Sequence, residues 1–178
     1  DTTKTYLIKN VRSRLYMHRN VYKKDKDGKI AKDADGNPIV ESPNSTDLVQ
    51  WKDTSIYSQF KFEKTGDGKY KIKNGNDYIS VERVGLGDYA DLKSGYDEFY
   101  AEQMPNGSIR FYQIDNNGKK FYLEIVGEAI NDWAEVDLGE SDRVKDHQCF
   151  FLVPVIEPET VVDGKTRIEA RVIFGDYN

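Results

Sequence analysis

"FKFEKTGDGKYKIKNGNDYISVE", from Phe60 to Glu82, returns as "FYAEQMPNGSIRFYQIDNNGKKFYLEI", from Phe99 to Ile125. A spacing of about forty residues signals a repeat architecture. In both stretches an aromatic segment is followed eight residues on by a glycine, Gly68 or Gly107. A second segment, an Asn-Gly pair (Asn74-Gly75, Asn117-Gly118) and a third segment come next. Glycine adopts positive φ at little cost, so these positions mark tight hairpin turns. The alternations Phe60/Phe62, Tyr70/Ile72 and Ile109/Phe111 have the period of two expected of strands with one buried face. The echo continues in "YISVERVGLGDYADLK" from Tyr78 and "YLEIVGEAINDWAEVD" from Tyr122, which sets Asp88-Tyr89-Ala90 over Asp132-Trp133-Ala134.

A third copy is more worn. "KTYLIKNVRSRLYMHRN" supplies two strands, and "DLVQWKD" from Asp47 supplies the next after an insertion over 21–47. The closing strand of each unit reads "QFKFEK" (Gln59), "EFYAEQ" (Glu98) and "CFFLVPV" (Cys149). Three units of four short strands, with no helical stretch between them, predict an all-β chain folded as a β-trefoil. Six strands would close a barrel and three hairpins would cap it, which removes exposed sheet edges. A two-sheet sandwich or another small barrel shares the short, evenly spaced strands and stays open as the alternative. The trefoil is expected over 1–156. The tail 157–178, beginning "EPETVVDGK", matches none of the units and is expected as a C-terminal hairpin or linker.

The chain's 178 residues fit one domain with one core. Its net charge of −5, with both signs interspersed, is the wrong pattern for neutralising phosphates, so no nucleic-acid partner is expected. No run of about 18 apolar residues is present, so no membrane span is expected. The start "DTTKTYLIKN" fits a processed secreted protein or an excised domain. The single cysteine, Cys149, lies in an apolar run and reads as a buried structural thiol.

In "NDYISVE", "KKFYLEI" and the Gln-x-aromatic "HQCF" (His147 to Phe150), the chain resembles the ricin-B-like and fascin-like β-trefoil families over about Lys4 to Ile156. Ricin-type lectins bind sugar through an aspartate, an aromatic platform and an Asn-Gln step. The resemblance implies that Glu124 takes the aspartate position in the third unit, His147 the Asn position and Gln148 the Gln position. The second unit has Ser80 at the acid position and "YDEFYA" where it closes. The first offers only a shifted "SQFKF".

Independently of that likeness, "NDWAE" combines Asn131, Asp132, Trp133 and Glu135. A ring for a sugar's C–H face then stands beside groups that bond its hydroxyls, although a Trp on a barrel strand is more often core. The insertion carries two Asp-x-Asp-Gly segments. Aligned as calcium loops they lack the first carboxylate and the closing Glu, so no metal is expected and the Asp-Gly pairs read as turns of a projecting hairpin. Cys149 stands two residues from His147 with no third group to orient a nucleophile and base. These readings favour a non-catalytic, lectin-like module without cofactor, secreted or at a cell surface, whose partner is a glycan or cell-surface saccharide. The alternative is a protein-interaction or protease-inhibitor trefoil working through its loops, with the insertion 21–47 contacting the partner.

Overall fold

The computed structural model describes residues 1–156 and 171–172. The first unit comprises β1 (Tyr6–Asn10), β2 (Tyr16–Arg19), β3 (Leu48–Trp51) and β4 (Lys61–Gly66). The second is β5 (Lys69–Asn74), β6 (Asp77–Val81), β7 (Ala90–Lys93) and β8 (Phe99–Gln103). The third is β9 (Ile109–Ile114), β10 (Lys120–Ile125), β11 (Val136–Gly139) and β12 (Phe150–Ile156). A short β13 (Arg171–Val172) pairs with β12. The rest of the expected C-terminal hairpin or linker lies outside the described residues.

Pairing runs around a ring. β4 pairs with β5, β5 with β8, β8 with β9, β9 with β12 and β12 with β1. Two backbone hydrogen bonds of 2.8 Å, exchanged between Tyr6 and Phe60, join β1 to β4 and close the barrel. The hairpins β2–β3, β6–β7 and β10–β11 form the cap. This is the β-trefoil expected from the threefold repeat. Among the described residues no helix is long and apolar enough to cross a membrane.

The units are equivalent in contact as well as in order. Tyr6–Phe60, Tyr70–Phe99 and Ile109–Phe150 pair the first and last strands of each unit. Phe60, Phe99 and Phe150 are completely buried in the common core. Between units the partners are Phe62–Ile72, Ala101–Phe111 and Leu152–Ile8, so a small residue in the second unit leaves room for a ring from the third. The cap closes cyclically too: Asp47 bridges Asp91, Tyr89 bridges Asp137 and Glu135 bridges Val49.

That cyclic pattern corrects one sequence alignment. β6 and β10 align as expected, but the loop that follows is two residues longer in the third unit (126–135 against 82–89). Tyr89 therefore corresponds to Glu135, and the counterpart of Trp133 is Gly87. The expected projecting hairpin over 21–47 is also different. Three extended segments bond in a closed ring, Lys23 N–H to Ile39 O, Ile39 N–H to Ala31 O and Ala31 N–H to Lys23 O. The Asp25 and Asp33 carboxylates each accept two backbone N–H groups across their turns. Asp115 does the same in the β9–β10 turn, so the Asp-x-x-Gly motif is one turn used three times.

Truncating Phe99 or Phe150 to Ala should cost ~3–5 kcal/mol each, from lost burial and the cavity left behind. Denaturant unfolding measures this; a loss below about 1 kcal/mol would mean that these rings do not carry the core.

Candidate functional site

Glu124 lies on β10, and a single 3₁₀ turn, Asp146–Gln148, brings two side chains to it before β12 begins. Gln148 Nε2 donates to Glu124 Oε1 at 2.9 Å and to the Glu140 carbonyl at 3.0 Å. His147 Nε2 stands 3.3 Å from the same carboxylate oxygen, and its Nδ1 stands 3.3 Å from Glu128. Glu124, His147 and Gln148, placed together by the resemblance, are thus together in the fold. Glu124 and His147 line a cleft of about 450 Å³ whose rim includes Leu86, Arg143 and Lys145, and Gln148 is buried behind them.

Two residues that the sequence reading did not single out complete this site. Gly139 follows in β11, and a methyl group there would overlap the Glu124 carboxylate. Asp137, buried in β11, is the direct cross-strand partner of Glu124. Two like charges in that position repel, and the pair resolves this by holding a proton. Burial, then the hydrogen bond to Glu124 and its charge, push Asp137 up to about 8. Burial alone would raise Glu124 as well; hydrogen bonds from His147, Gln148 and Asp137 outweigh it and hold Glu124 below the ordinary carboxylate value. At neutral pH the result is a neutral Asp137 behind an ionised, immobilised Glu124.

The other two units do not repeat this arrangement. Register equates Glu124 with His18 and Ser80, and Gly139 with Trp51 and Lys93. In the first unit His18 is buried edge-on against Trp51, ring centroids 5.1 Å apart, beside Tyr22 and Tyr57. Burial lowers its pKa to about 4, so the ring is neutral. Aromatic side chains fill the space that Gly139 leaves open in the third unit.

Asn131, Asp132 and Trp133 are elsewhere, in the loop that precedes β11. Asp132 Oδ1 accepts the Lys52 N–H at 2.9 Å, and the Asn131 carbonyl accepts from Gln50 Nε2. Trp133 is not on a strand, and its φ is 76°, matching the 77° of Gly87 at the equivalent position. The left-handed region costs a non-glycine residue about 1–2 kcal/mol. Trp133 stacks on Trp51 at 5.7 Å and 14°. The six candidates therefore divide into two places. Cys149 belongs to neither: its thiol donates to the Lys145 carbonyl, and burial raises its pKa, away from nucleophilic character.

Neither a family model nor a curated protein matches the sequence. Solved structures do. The ricin B-like lectin of Macrolepiota procera in complex with lactose is 13% identical, with TM-score 0.63 over 85% of this chain and 96% of that one. The Rhizoctonia solani agglutinin is 13% identical, with TM-score 0.61 over 85% and 94%. The fold is a β-trefoil, like that of these two lectins. The exo-β-1,3-galactanase 1,3Gal43A of Clostridium thermocellum contains a similar region, 20% identical with TM-score 0.62, of which this trefoil spans 86% of its own length and 30% of the enzyme.

The acid pair gives the trefoil a pH signature. Asp137 binds its proton more tightly folded than unfolded, so the stability it contributes is complete below its ordinary 3.8 and lost as pH rises through about 8. Asp137→Asn, which keeps a neutral hydrogen-bonding group, should flatten the fall in melting temperature across that window. A variant that loses stability as steeply as the native chain would contradict the shared proton.

Proposed function

We propose that the cleft of the third unit binds a saccharide, and that the protein is a non-catalytic, lectin-like module acting in the extracellular space or at a cell surface. The observation that carries this reading is the open, braced acceptor: Glu124 is ionised, fixed by Gln148 and His147, and uncovered because Gly139 has no side chain. A fixed carboxylate accepts bonds from neighbouring sugar hydroxyls with little ordering cost. Leu86, 69% exposed at the rim, offers an apolar contact for the ring.

Lactose and a glycan array are the first probes. Glu124→Gln should weaken binding by about tenfold or more, a loss on the scale of one charge-assisted hydrogen bond. Gly139→Ala should displace the carboxylate, lower the melting temperature through the lost bonds to Gln148 and His147, and weaken binding similarly in the still-folded protein. Failure of the folded protein to bind any glycan would refute the reading, as would binding indifferent to both substitutions.

A further inference from the structure

A second concavity lies between the insertion and the cap. It has a volume of about 660 Å³, within the range of small-molecule sites, and its lining includes Trp51, Trp133, Lys29, Lys32 and Lys52. The Trp51–Trp133 stack forms its aromatic wall. Lys24 lies with its ammonium 4.4 Å from the centre of the Trp133 ring. Lys24, Lys29, Lys32 and Lys52 are all exposed, and none forms an ion pair among the described residues. Two carboxylates, Asp53 and Asp132, share the lining; Asp132 is engaged by the Lys52 N–H. The lining thus has three lysines against two carboxylates, and Lys24 on the Trp133 ring adds a fourth cation.

The backbone gives an independent reason to regard this place as a site. Gly87 and Trp133 occupy equivalent positions with φ of 77° and 76°, and each donates its N–H across the cap, to Leu138 O and Gln50 O respectively. Glycine suits that geometry and tryptophan does not. Strained residues of this kind concentrate where their side chains have a task. The insertion forms the opposite wall and is held by its closed ring of hydrogen bonds, so the lysines are presented on an ordered frame.

We propose that this groove binds an acidic saccharide, a chain whose rings carry sulfate or carboxylate groups. A sugar's C–H face packs on the exposed part of Trp133, while its anions pair with Lys29, Lys32 and Lys52. Lys24 leaves the Trp133 ring for the ligand's charge, exchanging a cation–π contact for an ion pair. The proposal does not rest on the third-unit cleft, which contains neither tryptophan.

Both tryptophans of the chain stand in this groove, so intrinsic fluorescence reports on it directly. Titration with a heparin-derived hexasaccharide should change the emission saturably, and maltohexaose should not. Replacing Lys29, Lys32 and Lys52 by Ala together should weaken binding about tenfold or more, as should 0.5 M salt. Trp133→Gly suits the left-handed backbone, so it should fold and still lose binding, with Trp51 remaining as reporter. Glu124→Gln should bind the hexasaccharide normally, which separates this groove from the other cleft. No saturable change in the folded protein would overturn the proposal, as would binding unaffected by the lysine substitutions or by Trp133→Gly. Equal binding of hexaglutamate would also overturn it, assigning the groove to acidic peptides instead.

Discussion

Ring closure is the constraint on which everything else depends. A four-stranded unit of this chain has an apolar face but no partner to cover it, and only the cyclic pairing of six strands buries the three faces against one another. The Tyr6–Phe60 hydrogen bonds complete that ring on the backbone. Side chains repeat the theme beneath the cap: Asn10, Asn74 and Gln113 sit at corresponding positions and donate to backbone carbonyls of His147, Tyr57 and Glu98 in the preceding unit. Each amide thereby satisfies a carbonyl in an irregular closing turn that no strand could reach.

Because closure is handled by backbone and core, the cap positions are free to differ. One set of equivalent positions carries His18, Ser80 and Glu124, and another carries Trp51, Lys93 and Gly139. The first unit filled this space with rings and a neutral histidine. The third emptied it and placed an acid there. The same scaffold therefore offers a plugged pocket and an open one, separated by side-chain choice at these positions and by the insertion, which supplies Tyr22 to the plug.

The architecture was legible in the sequence because core positions repeat in the same order with the alternation of faces kept within each strand: Phe60, Phe99 and Phe150 mark the same place three times. Glu124, His147 and Gln148 were legible as a group because the acid on β10 and the Gln-x-aromatic step are read by residue type and order, although the connection before β12 is longer (140–149) than the one before β8 (94–98). The loop before β11 was not legible, since two extra residues move Trp133 out of alignment while an even shift leaves the alternation of faces undisturbed. Gly139 and Asp137 escaped for a different reason. Their role comes from standing across a strand pair from Glu124, and only the register reveals a cross-strand neighbour. The insertion's closed ring was hidden as well, because its two Asp-x-x-Gly turns are local signals and the hydrogen bonds between Lys23, Ala31 and Ile39 are not.

The insertion has an architectural consequence of its own. It departs after Arg19 and rejoins before Leu48, and those two residues are direct cross-strand partners in the cap hairpin. The chain ends facing the barrel are thus one inter-strand spacing apart, about 5 Å, whatever lies between them. The stretch 23–41, which closes its own hydrogen bonds, can be exchanged there for another of similar span, provided that Tyr22 and 45–47, which pack on or bond to the cap, are kept. The junction is a ready socket for transplanting recognition elements onto a fixed barrel.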